Sequence, residues 1–239
     1  QALRLYDQYR DLITTAPLEI IYSGSAELDR VRQALAAAFA TLPREEVRTI
    51  ADAVPHVCRE SVQTVEDEME VTQGKLSMGF SCGSDDMPAL LLGNTLFGGS
   101  SNSKLFLNVR EKLSLCYYAS SMYHRQKGII TVSSGIEFQN YQRAYDEILS
   151  QLAAVQNGEL EEWELAGARS TLLNSYATVG DSQGKLENFY LGQAATGRSE
   201  TPADLAQAVM EVSAERICRA LSTVKLDTVY FLKGKEAQA

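Results

Sequence analysis

Between Gly98 and Tyr118 the chain reads GGSSNSKLFLNVREKLSLCYY: a glycine turn, a capped amphipathic helix, then direct entry into a strand. Two of its side chains could do chemistry together. Arg110 sits about one turn from the helix end, and Tyr117, seven residues on, lies just inside the strand. The chain changes direction between them, so both can project to one rim of a sheet. A guanidinium fork beside a phenol is a donor pair suited to a carbonyl oxygen, a developing oxyanion or a peptide carboxylate. The same residues have a plainer reading, in which Arg110 only complements the helix C-terminus and Tyr117 packs as a core aromatic. Residue type and spacing leave both open.

Other reactive types are scattered. His56 and His124 are the only histidines and lie 68 positions apart, which excludes an H-x-x-E-H or H-E-x-x-H zinc helix within these residues. His56-Val57-Cys58 offers two metal ligands without a second pair. Cys58, Cys82, Cys116 and Cys218 form no C-x-x-C pair, and the spacing predicts reduced thiols in a cytoplasmic protein. A cysteine hydrolase built on Cys82 or Cys116 lacks a near histidine. Gly98–Ser103 and Gly180-Asp181-Ser182 have the composition of phosphate loops, but neither has the lysine spacing of one. Glu159, Glu161, Glu162 and Glu164 read as a solvated face at a helix start, with Trp163 as a partly buried anchor. His124 reads as a turn residue at a strand end.

The 239 residues carry 31 acidic against 22 basic side chains, a net charge of -9, which argues against nucleic acid or an anionic membrane as partner. With 45% hydrophobic and 22% charged residues the composition is that of a soluble globular protein of one or two domains. There is neither a membrane-spanning apolar run nor a signal-peptide pattern. The chain starts without a Met and in mid-pattern, so it reads as part of something longer.

The elements that position Arg110 and Tyr117 follow from periodicity. Residues 2–13 have helical spacing, and Thr14–Pro17 stops them. Leu18–Ser23 reads as a buried strand, followed by an amphipathic helix over Val31–Leu42. Residues 43–57, with Pro43, Pro55 and no sustained period, are the best linker. Two strands over 59–82 alternate through Val62 and Val65, then through Leu76, Met78 and Phe80. An apolar helix over Pro88–Phe97 leads to the glycine turn. The next helix, capped by Asn102 or Ser103, has Leu105, Phe106, Val109 and Leu113 on its apolar face. Strands at 115–123 and 128–136 come next, then helices at 138–155, 161–176, 182–195, 202–210 and 213–223, and a closing strand Leu226–Leu232. Paired strands and blocks of helices predict an α+β fold, a mainly antiparallel sheet covered on one face by helices. Helix, break, apolar strand and glycine occur at 2–24 and again at 213–234, as if two tandem domains of one fold each ended this way.

With these motifs the chain resembles the C-terminal, non-zinc domain of the pitrilysin/insulinase family of zinc peptidases (inverzincins), which includes mitochondrial processing peptidase. That family's run is a glycine-rich turn, S-R-L-F, then L-R-E-x-x-G-L-x-Y. Here Gly98-Gly99 precede Ser103-Lys104-Leu105-Phe106, and Val109-Arg110-Glu111-Lys112 lead to Leu115-Cys116-Tyr117. Leu18–Gly24 resembles the inter-domain segment, Gln73–Leu76 with Gly79-Phe80 its glutamine-marked strand, and Gly158–Thr171 its acidic helix start. Two positions depart from the pattern: Ser114 replaces a usual Gly, at a turn strained if that Gly needs positive φ, and Lys104 replaces a usual Arg, losing its fork. Both hint at a bacterial member of the inactive-subunit type.

The resemblance implies that residues 1–42 are the trailing helix, strand and helix of a missing first domain, 43–57 a linker, and 58–239 the family's C-terminal domain. It implies no zinc here; zinc is expected on the first domain or a partner subunit, in a homo- or hetero-oligomer. An unfolded peptide would enter between the halves as an added strand. Tyr117 and Arg110 would then be the supporting catalytic residues, and Arg110, Tyr117, Gly98 and Gly99 the substrate-binding ones. The alternative is an inactive peptidase-fold assembly partner. Either way the isolated chain is expected to bind no stoichiometric zinc and to cleave no peptide.

Overall fold

The computed structural model describes residues 2–48 and 58–235. Its helices are α1 (Ala2–Thr15), α2 (Leu28–Phe39), α3 (Met87–Phe97), α4 (Tyr141–Gln156), α5 (Glu162–Ala177), α6 (Gln183–Ala194), α7 (Pro202–Met210) and α8 (Ala214–Leu221), with a π-helix at Leu105–Lys112. Its strands are β1 (Gln63–Met69), β2 (Gly74–Cys82), β3 (Cys116–His124), β4 (Ile129–Ile136) and β5 (Val224–Gly234). The chain divides into two compact units, residues 1–53 with 179–199, and residues 54–178 with 200–239.

The second unit carries the five-stranded sheet, in the order β1-β5-β2-β4-β3. Only β1 and β5 run parallel; the other three pairings are antiparallel. The two-residue period of each strand puts one set of side chains in the core and the other outside. Leu76, Met78 and Phe80, Ile130 and Val132, and Val229 and Phe231 are buried, whereas Ser77, Gly79, Thr131, Ser133, Thr228 and Tyr230 between them are not. The unit's helices lie on the apolar face, and the opposite face is small and hydroxyl-rich. This is the α+β architecture that the patterning predicts. One detail differs: β1 and β2, adjacent in sequence, do not pair, because the last strand β5 inserts between them. β1 is left as an edge strand exposed throughout, its Glu66 and Glu68 paired with Lys233 of β5 at 3.2 Å each, and such charges discourage edge-to-edge association.

α3 is apolar on all sides because it is covered on all sides, by the sheet and by α5 and α8. Phe97 meets Phe80 of β2 edge-on, ring centroids 6.3 Å apart. Its start is held by Asp86, which accepts from the Ala89 N–H at 3.2 Å and takes the Arg216 guanidinium of α8 on both oxygens, at 3.0 and 3.1 Å. Partial burial pushes the Asp86 carboxyl up, but the Arg216 hydrogen bonds and the Ala89 N–H outweigh it and hold the group below its ordinary range.

In the first unit, α1 ends on Thr14 and Thr15, and the following chain folds back on it. Arg44 donates to the carbonyls of Ile13 and Ala16 at 2.7 and 2.6 Å, satisfying acceptors that a helix C-terminus leaves open. The segment Leu18–Ser23, expected as a strand, forms no ladder with any described residue. A strand exists only by its partner, and here Leu18, Ile20 and Tyr22 stay exposed, as do Leu5, Tyr9 and Leu12 of α1. His56 and most of the expected linker lie outside the described residues.

The segment after the glycine turn is helical as expected, but with π rather than α geometry: the Leu113 N–H reaches back five residues to Asn108 O at 3.0 Å. Its start is tied down by a buried ion pair. Lys104 Nζ donates to both carboxylate oxygens of Glu164 on α5 at 3.0 Å, and the two residues are 8% and 6% exposed. Glu164 also accepts from the Glu161 N–H in a capping box. The acidic run is therefore not uniformly solvated: Glu164 points inward, while Trp163, 54% exposed, is not the partly buried anchor expected. Removing one member of a buried pair strands the other, at a cost of about 3–5 kcal/mol, whereas replacing both by apolar groups is close to neutral. Lys104→Met is accordingly expected to lower unfolding stability by roughly 3 kcal/mol in urea titrations, and the Lys104→Met/Glu164→Leu double variant to recover most of it. Equal loss in the single and double variants would contradict the pairing.

Candidate functional site

β3 is the free edge strand beside the π-helix, and its pairing with β4 contains one irregularity. Cys116 faces Ile136 and Tyr118 faces Gly135, leaving Tyr117 as an extra residue in a β-bulge. By strict alternation Tyr117 would share a face with Ala119 and Ser121, which are buried. The bulge turns it out instead, and Tyr117 is 77% exposed. That excludes the core-aromatic reading of Tyr117. Tyr118, next along, lays its ring across Gly135, where any Cβ would come within 2.6 Å of Cε1.

The bulge follows a tight reversal. Ser114 has φ +51°, the one non-glycine residue with positive φ among those described, and the Leu115 N–H bonds Val109 O at 3.1 Å to close the turn. The left-handed conformation that the family's glycine would adopt freely is here imposed on a serine.

The glycine turn approaches β3 from the other side. The Ser121 N–H donates to Gly98 O at 2.9 Å, and Ser121 Oγ donates to Asn94 Oδ1 at 2.7 Å. A Cβ on Gly98 would stand 2.8 Å from the Ser121 backbone nitrogen and 2.7 Å from Leu105 Cδ1, so only glycine permits this approach. Between the turn, the π-helix and β3 lies a cleft of about 630 Å³. Gly98, Gly99 and Arg110 line it, with Phe106, Tyr118 and Met122 among their neighbours; Tyr117 is not among the lining residues.

Arg110 is well placed to receive a ligand. Its Cζ lies 4.6 Å from the centre of the Phe106 ring, and its Nε is 3.6 Å from Glu111 Oε1. The neighbouring thiols are held towards the protonated form. Burial pushes Cys116 up despite the Ser134 hydrogen bond and the Arg110 charge, and pushes Cys82 up to about 12. At the far end of β3, His124 Nε2 lies 3.0 Å from Thr131 Oγ1.

No three His, Cys, Asp or Glu side chains gather into a possible metal site among the described residues. The donors present do not fit a zinc centre, so no catalytic step is derived through zinc in this chain. No helix of the described residues is long and apolar enough to cross a membrane.

Comparison with known proteins bears on family and fold. Residues 1–172 match the family model described as the peptidase M16 inactive domain. The chain belongs to that family. Among curated relatives, "Probable inactive metalloprotease YmfF" of Bacillus subtilis (strain 168) is 36% identical over 241 residues, covering 98% of this chain and 56% of the relative. A conserved protein from Enterococcus faecalis V583 superposes with a TM-score of 0.76 at 28% identity, over 87% of this chain and 50% of that one. The peptidase M16 inactive domain from Pseudomonas fluorescens has a TM-score of 0.72 at 16% identity, over 90% and 53%, a likeness of fold. The chain thus spans about half the length of these relatives.

Of the four residues singled out by sequence, the cleft gathers Gly98, Gly99 and Arg110, and Tyr117 stands exposed on the bulge at the start of β3. Tyr118 and Met122 escaped sequence reasoning, and Phe106, read as part of the helix's apolar face, instead lines the cleft. The signal was present in the adjacent tyrosines 117 and 118, since two large aromatics in a row at a strand start break the two-residue period. The strain at Ser114 gives a direct check. Ser114→Gly is expected to raise unfolding stability by about 1 kcal/mol, partly offset by the entropy of the unfolded glycine. Ser114→Val is expected to lose more than that, and a stabilising valine in urea titrations would contradict the left-handed assignment.

Proposed function

We propose that this chain is the non-zinc half of a two-part zinc metallopeptidase of the pitrilysin/insulinase type. In this reading residues 1–42 complete a first domain, 43–57 link the halves, and 58–239 form the wall that faces the substrate. Zinc and the attacking water belong to the first domain or to a partner subunit in a cytoplasmic homo- or hetero-oligomer. The reading rests above all on Tyr117, a large aromatic that a bulge turns out of the core at the sheet rim, seven residues after Arg110.

The chemistry this chain would supply is hydrogen bonding. Tyr117 would donate its phenol to the carbonyl oxygen of the bond being cleaved as negative charge develops there, and Arg110 would orient the peptide backbone. Gly98 and Gly99, without side chains, would let the peptide lie close to the turn. A preorganised donor of this kind is worth roughly 10²–10³ in rate.

A second reading, a catalytically inactive peptidase-fold partner in an assembly, is supported by Ser114, a serine held at a positive φ that glycine would adopt without strain. The assay that separates the two uses the zinc-bearing half with this chain bearing Tyr117→Phe. The first reading expects kcat to fall by roughly 10²–10³ with KM little changed. An unchanged kcat would remove the phenol from the reaction and favour the assembly reading.

A further inference from the structure

The acidic residues of this chain are spread unevenly. It holds 31 Asp and Glu, yet β2, β3 and β4 contain none. These strands form the middle and one side of the sheet, and their apolar side chains fill the helix-covered face. The middle of the opposite face is left with hydroxyls, glycine and lysine. Ser77 lies beside Ser133 and Tyr230, and Gly79 beside Thr131 and Thr228. Lys75 alternates with the buried Gly74 and Leu76, and Lys225 with the buried Val224 and the core-packed Leu226, so both project from the open face. Both are exposed, and neither is ion-paired to a described residue.

The acids nearest this face do not neutralise them. Glu66 and Glu68 of β1 stand opposite Phe231 and Lys233, which puts them on the helix side. Asp67 reaches the open face only on the outermost strand, where it accepts from the Tyr230 hydroxyl at 3.0 Å. Asp227, the extra residue of a bulge in β5, is buried; it accepts from the Arg59 N–H at 3.0 Å and the Thr228 hydroxyl at 2.7 Å, with the Arg59 guanidinium 4.0 Å away. By the register of β2 and β5, Lys225 stands beside Ser81, six residues from Lys75 and about 20 Å along the strands. An extended peptide lying along the strands turns side chains six residues apart to the same side, so two of its carboxylates can meet both lysines at once.

We propose that the open face of the sheet receives acidic stretches of extended peptide, with Lys75 and Lys225 as the two anchoring charges. The hydroxyls between them donate or accept as the passing backbone requires. The middle of the face has little of the apolar area on which permanent interfaces are built, which suits an occupant that comes and goes. The inference deepens the reading of residues 58–239 as the wall that faces substrate, and names the substrate class as peptides carrying Asp or Glu. This face lies beyond the rim of Arg110 and Tyr117, so one peptide can pass that rim and continue over it. The inference concerns charge selection in binding, whereas the Tyr117 assay reads the rate of cleavage, so either can fail alone.

The test uses the 239-residue chain and three twelve-residue peptides with a neutral N-terminal fluorophore and an amidated end, read by fluorescence anisotropy at low salt. They differ only at two positions six residues apart, which carry Glu, Gln or Lys. The glutamate peptide is expected to bind about three- to tenfold tighter than the glutamine peptide, and the lysine peptide to bind weakest. The net charge of -9 acting from a distance predicts the reverse order, so the ranking separates a local site from the overall field. Lys75→Gln/Lys225→Gln should remove the preference for glutamate. Arg143→Gln/Arg219→Gln, which takes the same charge from exposed positions on α4 and α8, should keep it. Comparing peptides on the unaltered chain requires no variant to fold. Equal affinity for the three peptides, no binding of any, or tightest binding of the lysine peptide would each overturn the proposal. So would a preference that survives in a folded Lys75→Gln/Lys225→Gln, or one lost equally in Arg143→Gln/Arg219→Gln.

Discussion

The chain reversal at Ser114 is the constraint on which the sheet rim depends. Arg110 leaves a π-helix and Tyr117 enters a bulged strand within seven residues, and the turn between them is closed by the Leu115 N–H to Val109 O bond at a backbone angle that L-residues avoid. What holds a strained turn is what flanks it. On one side Lys104 and Glu164 pin the start of the π-helix to α5, and on the other Leu115 is buried and β3 is zipped to β4. Had the segment been α-helical and the strand unbulged, Arg110 would point elsewhere and Tyr117 would lie in the core. Strain of this kind persists only where the surroundings over-determine it.

The one-sided sheet gives that rim its setting. Helices cover the apolar face, so all of the unit's hydrophobic burial is on one side. The opposite face, with Ser77, Thr131, Ser133 and Thr228, is left polar and uncovered within the unit. A membership in the M16 inactive-domain family and a length about half that of its relatives suit the proposal that this face works against another domain. The exposed apolar side chains of α1 and of Leu18–Tyr22 suit the proposal that residues 1–42 belong to a first domain.

Much of this was legible in the residues. Alternation through Leu76, Met78 and Phe80 marks the central strand, and uniform apolarity marks α3 as covered on all sides. Position 114 could be suspected before its φ was known, because a glycine pattern interrupted by serine asks about positive φ. The insertion of β5 between β1 and β2 was not legible, since local adjacency favours a hairpin and only the long-range register decides otherwise. Nor was the inward turn of Glu164, because an acidic run at a helix start reads as solvated until Lys104, 60 positions away, is brought against it. The π geometry and the bulge each displace a residue by one position, a shift below what periodicity resolves.

The central claim is that the rim carrying Arg110 and Tyr117 meets peptide. It is tested most directly by a crystal structure of this chain with its zinc-bearing half and an uncleaved peptide. The account predicts ordered peptide with a backbone oxygen within about 2.6–3.2 Å of the Tyr117 hydroxyl and a second acceptor at the Arg110 fork. Peptide bound at the zinc with both side chains turned to solvent would contradict it.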